Sequence, residues 1–241
     1  MKKLLFFTIL IIGFSACRWD ERIVRGNGNR ISDTIQLNKL HALAIGGNYK
    51  ITLKKSFQPK VIIHCDENLL EHIITEDRDG DLSITSNANL VSEKDIRIDI
   101  FFQNLERIQT FGASTVSSDD QIEGNDFKLN VAGVGATKLD IDVQFLEVDM
   151  SGAGVVELKG FAKEAVVSIS GAGALNGYEL EVDRCNIDIS GVGGAEIYVT
   201  DYLEGNINGI GSINYRGQPK KIVRNIQGLG KIEESEEYMG Q

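Results

Sequence analysis

The feature that most constrains this chain is a short turn sequence that returns six times between residues 130 and 230. Each copy contains two glycines separated by one residue and follows an alternating apolar segment, as in Ser168-Ile169-Ser170-Gly171-Ala172-Gly173. The first glycines of the copies are Gly133, Gly152, Gly171, Gly191, Gly209 and Gly228. Their spacing is nearly constant, and a fixed period this short is typical of a solenoid in which each repeat forms one coil.

The segments before the glycine pairs predict strands rather than helices. One apolar column consists of Val131, Met150, Ile169, Ile189, Ile207 and Ile226, and a polar residue precedes each member. Alternation with a period of two indicates a strand with one buried face. The first glycine of each pair would permit a positive φ where the chain turns. We therefore predict an all-β fold, a right-handed parallel β-helix of five or six coils of about 19 residues, stacked about 4.8 Å apart.

Residues 1–17 have the composition of a targeting segment. Two lysines precede an apolar run over residues 4–14, which is too short to span a bilayer comfortably. The run ends in Phe14-Ser15-Ala16-Cys17, which resembles a bacterial lipobox. We predict a lipoprotein signal peptide with Cys17 as the site of lipid attachment, so that the protein is anchored by acyl chains. An ordinary cleaved signal peptide that contains a cysteine is the alternative.

The polar segment 18–36 predicts a tether, and its Asp20-Glu21 pair loosely resembles the acidic export signal of Bacteroidetes surface lipoproteins. The whole chain has a net charge of −10, and loss of Lys2 and Lys3 with the signal peptide changes this to −12. Such acidity argues against nucleic acid as a partner and against peripheral binding to anionic lipid.

The cysteines and histidines do not predict a metal site. His64 and Cys65 are adjacent, so on a strand they point to opposite faces, and His72 alone cannot complete a zinc site. Cys65 and Cys185 could form a disulfide in an exported protein, but nothing in their positions supports that pairing. We favour two buried free thiols on strands.

Residues 37–111 are rich in strand patterns but lack the period of the regular coils, which we assign to 112–231. Asp66 followed by apolar residues at helical spacing predicts a short helix through Ile74. We expect both parts to form one elongated body, followed by an acidic tail over 232–241.

Several segments resemble the putative auto-transporter adhesin, head GIN domain family, which is common among Bacteroidetes lipoproteins. The residues that carry the resemblance are Ile45 to Leu53, Asp66 to Leu70 with Ile73, Asp79 to Ile84, and the Ser-Gly-Ala-Gly turns at Ser151 and Ser170. The resemblance extends over 37–231 as a single head GIN-type domain. It implies a β-helix of the pectate-lyase-like class and an adhesin-like role, and it brings no catalytic residues with it.

The glycine turns do not predict a cofactor or a metal. No helix pattern follows them, and the rest of a dinucleotide fingerprint is missing. A calcium-binding nonapeptide coil needs an Asp two residues after its last glycine. The matching positions hold Thr137, Val156, Leu175, Ala195, Ile213 and Ile232.

A group of acids offers the best case for an enzyme, because glycoside hydrolysis uses two carboxylates at a set separation. The acids are Asp140, Asp142, Asp149, Asp183 and Asp188. Asp149 and Asp188 are two coils apart, roughly 10 Å by strand spacing, with Ser168 between them. This is at the edge of the inverting range of about 6.5–9.5 Å, so a solvated polar face is the competing interpretation.

The function that we predict is that of a non-enzymatic cell-envelope lipoprotein, lipid-anchored in the outer membrane. Its β-helix would present an adhesin-like surface to an extracellular glycan or protein. The alternatives are a carbohydrate-active lyase or hydrolase that uses the Asp149 and Asp188 face, and a purely structural envelope component.

Overall fold

The computed structural model describes residues 22–235, which are almost entirely β-structure, with one short helix. Within this part of the chain no helix is both long and apolar enough to cross a bilayer. The elements in chain order are β1 (Ile23–Arg25), β2 (Arg30–Gln36), β3 (Ala42–Gly46), β4 (Lys50–Lys55), β5 (Lys60–Asp66), α1 (Glu67–Leu70), β6 (Ile73–Arg78), β7 (Asp81–Ser86), β8 (Asn89–Val91), β9 (Arg97–Phe102), β10 (Arg107–Thr110), β11 (Thr115–Ser118), β12 (Ile122–Val131), β13 (Val134–Met150), β14 (Ala153–Ile169), β15 (Ala174–Ile189), β16 (Val192–Ile207), β17 (Ile210–Arg216), β18 (Lys221–Ile226) and β19 (Leu229–Glu234).

The long strands β13 to β16 each run between successive glycine turns, so that each strand makes up most of one coil. Each pairs in parallel with the strand one period later, as in Val134 with Ala153, or Val192 with Ile210. The result is a β-solenoid of about seven turns with coils of about 19 residues. The predicted fold class is therefore confirmed. There are more turns than the five or six expected from the repeat, because the non-periodic part of the chain also forms coils.

The N-terminal coils stack out of sequence order. Strand β3 lies between β7 and β10, and β4 lies between β9 and β11, all in parallel. The coil formed by β3 and β4 is thus covered on one side by β7 and β9. On its other side lie β10 and β11, which lead into the regular coils. This arrangement joins the segments 37–111 and 112–231 in one sheet.

Antiparallel strands close the N-terminal end of the solenoid. Strand β5 pairs with β9 and also with β2, and β6 pairs with β7. Strand β2 lies inside the segment 18–36, for which the sequence predicts a tether, and β1 in the same segment pairs with β8. The tether prediction is therefore wrong for β1 and β2. The sequence does not mark β2 as a strand because its hydrophobic pattern is weak, as the absence of any fully buried residue in it shows. Its backbone partners come from β5, which follows β3 and β4 in the chain.

The predicted helix from Asp66 to Ile74 is reduced to one turn, α1, and Ile73 already begins β6. Asp66 precedes α1 but makes no side-chain capping bond. Its carboxylate instead accepts a hydrogen bond from Ser92 Oγ at 2.8 Å and lies 3.5 Å from Arg30 Nη1. The strand β19 likewise continues to Glu234, into the segment predicted as a tail; residues 236–241 lie outside the described part.

The interior of the coils is a continuous apolar core. The inward column predicted from the sequence is buried from Val131 to Ile207, whereas Ile226 in the terminal strand β18 is exposed. Cys65 and Cys185 are buried free thiols, in agreement with the interpretation that we favoured. Burial raises the pKa of the Cys185 thiol to about 12, so the group stays protonated at neutral pH.

The glycine column has a different cause from the one predicted. Gly171 and the other first glycines do not have positive φ values. A Cβ built on Gly171 would instead lie well under 3.0 Å from the carbonyl oxygen of Gly152, one coil away. The same overlap occurs along the column, from Gly112 through Gly228. Glycine is therefore needed because the backbones of successive turns approach too closely for any side chain.

Candidate binding surfaces

The residue between the two glycines of each turn points into solvent and forms an exposed line along one corner of the solenoid. The members of this line are Val134, Ala153, Ala172, Val192, Ile210 and Leu229. Backbone hydrogen bonds between successive turns, such as Ala172 N to Gly152 O at 3.0 Å, keep the positions aligned. The exposed fraction is 61% for Val134, 58% for Val192 and 53% for Ile210.

The columns on both sides of this line are uncharged over the first five coils, and Lys231 follows Ser212 in the sixth. One side holds Ala136, Val155, Ala174, Gly194 and Ser212, which pair in register from coil to coil. The other side holds Ala132, Ser151, Ser170, Ser190 and Asn208, all exposed. We call these three columns the corner strip. Its central line has six members about 4.8 Å apart, so this line extends about 24 Å along the solenoid.

The predicted carboxylate face is only partly assembled. Asp149, Ser168 and Asp188 do occupy one column, two coil spacings from end to end, as expected. Asp140 instead lies 3.0 Å from Lys159 Nζ in an ion pair, and Asp183 accepts a hydrogen bond from Thr200. The separation of roughly 10 Å between Asp149 and Asp188 remains slightly beyond the inverting range of about 6.5–9.5 Å.

A cavity of about 620 Å³ lies on the outer surface of the antiparallel cap. Its floor is a row of side chains that crosses four neighbouring strands, in the order Ser32 of β2, His64 of β5, Arg97 of β9 and Lys50 of β4. The register of these strands brings the four residues side by side, although they come from distant parts of the sequence. His64 contacts Ser32 Oγ through Nδ1 at 2.7 Å and Asp99 through Nε2 at 3.3 Å.

One wall of this cavity is the loop over residues 92–96, which is anchored at three points. Ser92 binds Asp66, and the Asp95 carbonyl accepts a hydrogen bond from Arg30 Nη2 at 3.0 Å. The Ile96 carbonyl accepts one from the backbone N–H of Lys50 at 2.9 Å. The same Arg30 nitrogen also donates to the His64 carbonyl at 2.9 Å, so Arg30 ties the wall to the floor.

Sequence patterns alone do not single out this cavity. Lys50 lies in a segment that carries the family resemblance, but neither Lys94 nor Arg97 belongs to a repeat or motif. The cavity depends on pairings between strands that are not neighbours in the chain. Cys17, the predicted lipid-attachment site, lies outside the described residues. Among residues 22–235, no cluster of His, Cys, Asp and Glu has the arrangement of a metal site.

Family comparison agrees with the resemblance deduced from the sequence. Residues 39–219 match the family described as "Putative auto-transporter adhesin, head GIN domain". The chain belongs to this family. Membership supports an adhesin-like role and suggests a location in the cell envelope or at the cell surface. No curated protein shows significant sequence similarity to the chain.

Solved structures share the fold of this chain over nearly its whole described length. A putative adhesin from Bacteroides fragilis NCTC 9343 has a TM-score of 0.84 at 21% identity, covering 88% of this chain and 100% of its own. A protein from Parabacteroides distasonis ATCC 8503, described as a putative lipid binding protein, has a TM-score of 0.72 at 21% identity, covering 89% and 100%. A putative adhesin from Parabacteroides merdae ATCC 43184 has a TM-score of 0.65 at 22% identity, covering 89% and 100%. At these identities the likeness concerns the fold.

Proposed function

We propose that this head GIN protein is a non-enzymatic, lipid-anchored envelope protein whose solenoid contacts an extracellular glycan or protein. The observation that carries the proposal is the corner strip. Contiguous exposed apolar surface is a mark of interaction sites in soluble proteins, and here the apolar central line of the strip recurs coil after coil between two columns of small, uncharged residues. A strip about 24 Å long suits an extended partner better than a small molecule, which is usually enclosed in a cleft.

A binding screen tests the proposal directly. The mature chain, residues 18–241, is applied to an array of host and bacterial glycans and to a panel of extracellular matrix proteins. We expect binding that is weakened about tenfold in the double variant Val192→Ser/Ile210→Ser, because loss of central apolar contacts removes the main binding energy of an interface. Absence of any binding partner across both panels would count against an adhesin-like function.

A matched substitution outside the strip serves as the control. Val166 is also an exposed valine, but it lies in the column that contains Glu147 and Asn186. Val166→Ser should leave binding unchanged. Equal losses in both variants would mean that the corner strip is not the contact surface.

The same screen distinguishes the competing functions. A carbohydrate-active enzyme that uses the Asp149 and Asp188 column would degrade a polysaccharide, and Asp149→Ala would abolish that turnover. Binding without turnover favours the adhesin-like function. A purely structural envelope component would bind none of the glycans or matrix proteins.

The proposed lipid anchor depends on a single side chain, the thiol of Cys17. Cys17→Ala should abolish lipid modification and leave the protein soluble or unprocessed, because the acylated thiol of a lipoprotein has no substitute. Metabolic labelling with a fatty-acid analogue measures this, with Cys65→Ala as a control that retains the label. A mutant at Cys17 that is still labelled would contradict the assignment.

A further inference from the structure

The cavity on the antiparallel cap contains an unusual set of positive charges. Lys50, Lys94 and Arg97 all line it, and within residues 22–235 none of the three forms an ion pair. Several lysines of the regular coils do lie against carboxylates of a neighbouring coil, as Lys128 does with Glu147 at 2.6 Å. In a chain with a net charge of −10, three cations without acidic partners around one cavity point to an anionic ligand.

The acids that also line the cavity are fewer than its cations and form no ion pair with Lys50, Lys94 or Arg97. Glu93 and Asp95 are present on the wall, but neither lies within ion-pair distance of the three cations. The role of Asp95 in the wall is through its carbonyl, which Arg30 holds. Arg30 is therefore already used as a structural tie, and the other three cations are available to a ligand.

The backbone of the loop that carries Lys94 is anchored in the free protein. The anchors of the loop at Ser92, Asp95 and Ile96 tie it to three separate strands or segments. A binding group that is held in place in the free protein loses less entropy when the ligand binds. Charge-assisted hydrogen bonds from lysine and arginine to carboxylate or sulfate oxygens would then supply strong directional contacts.

The surroundings of the cavity indicate a ligand larger than a single ion. A second cavity of about 300 Å³ shares Lys50, Lys94 and Asp95 with the first. It is lined in addition by Asn48 and Thr115, whose side chains can exchange hydrogen bonds with hydroxyl groups. A ligand that extends from one cavity to the next would present an acidic group to the cations and hydroxyl groups to the polar side chains.

Other polyanions fit less well. Single-stranded nucleic acid is bound by stacking on aromatic side chains, and the aromatic residue at the second cavity, Tyr49, is buried with its hydroxyl bonded to the Thr85 carbonyl at 3.0 Å. An anionic membrane is a large negative surface that would repel a chain with a net charge of −10. An acidic saccharide fits better because it combines acidic groups with hydroxyl groups, which Asn48 and Thr115 at the second cavity can bind.

From these observations we propose that the cap cavity binds an acidic saccharide, with Lys50, Lys94 and Arg97 contacting its carboxylate or sulfate group. The proposal rests on the adhesin-like function and names the class of ligand at a site distinct from the corner strip.

The experiment uses pairs of polymers that differ only in charge. Binding of the mature chain is measured to polygalacturonate and its methyl ester, and to dextran sulfate and dextran. We expect the charged member of at least one pair to bind, and the neutral member not to bind. The triple variant Lys50→Gln/Lys94→Gln/Arg97→Gln should bind at least tenfold more weakly, with binding that also weakens as salt increases.

A single substitution outside the cavity shows what the loss of one unpaired positive charge does by itself. Lys163 is exposed and has no ion pair within residues 22–235, and it does not line the cavity. Lys163→Gln should leave the affinity within about twofold, since single surface contacts away from a site add little. Thermal unfolding of the triple variant, which replaces only exposed side chains, checks that it is folded.

The outcomes separate this inference from the proposed function. The inference is overturned if the triple variant binds as the parent does, or if neither charged polymer binds. It is also overturned if inorganic sulfate or phosphatidylserine vesicles compete as well as the polymer does. In each of these cases the proposed function stands, provided that the corner strip still binds a partner on the panels; if the chain binds no polymer, glycan or protein, both fail.

Discussion

Gly171→Val is expected to lower the free energy of unfolding by about 3 kcal/mol or more, the upper end of the usual cost of overpacking. Any Cβ at this position would overlap the carbonyl oxygens of Gly152 and Ser151 in the adjacent coil. To make room, the coils would have to separate, which would break hydrogen bonds such as Gly171 N to Met150 O at 3.1 Å. Coupled repeats would pass the defect to both neighbours. Urea unfolding of parent and variant measures the effect.

Two substitutions serve as controls for this prediction. Gly194→Ala adds a Cβ in ordinary contact, 3.5 Å from the Ser212 carbonyl oxygen, so a small change is expected. Asp188→Asn keeps the size of a partly exposed side chain and should change stability by less than about 0.5 kcal/mol. If Gly171→Val unfolds like the parent, the backbones of the glycine column do not approach as closely as the structure shows.

Phe127→Ala should be among the most damaging truncations in the core, with a loss of about 3–5 kcal/mol. Phe127 is 1% exposed and is one of the largest fully buried side chains. It lies at the start of the regular coils, where β12 pairs with β13, and its neighbour in register is Leu146. Removal of the ring would leave a cavity where the core joins the out-of-order N-terminal coils. A loss of this size is a large part of the stability of a typical domain, about 5–15 kcal/mol.

The matched control is an exposed phenylalanine, Phe57. Phe57 is 91% exposed, in the connection between β4 and β5, and Phe57→Ala should change the free energy of unfolding by less than about 0.5 kcal/mol. Denaturant unfolding of both variants gives the comparison. Similar midpoints for the two would show that Phe127 does not pack in the core as described.

The two candidate surfaces offer different kinds of contact. The corner strip repeats along the regular coils, so its uncharged character extends from coil to coil and suits a long partner. The cap cavity occurs once, is enclosed on one side by an anchored loop, and collects positive charge. An adhesin-like protein that uses both would combine a long, uncharged contact with one charge-selective site, and the variants at Val192 and Lys50 test each surface separately.

The periodic part of the fold could be predicted from the sequence with the correct neighbours. In a parallel in-register stack, each residue packs against its equivalent one period away, so the nearly constant interval between glycine pairs directly specifies the pairing of Val134 with Ala153. The alternation likewise specified the buried face. The sequence does not show why the glycines are required, because a positive φ and a close approach of two backbones both favour glycine. The positions of the neighbouring turns in the structure distinguish the two reasons.

The non-periodic part and the cavity were decided by tertiary structure. Strand β3 pairs with β7 and with β10, both far from it in the chain, and no repeat marks those partners. Asp66 has the sequence of a helix cap, yet its carboxylate binds Ser92 and Arg30, which reach it only when the cap assembles. Lys50 and Arg97 become neighbours through the same assembly. A repeat determines contacts that recur at one spacing, whereas a site built from single, distant pairings exists only once the chain has folded.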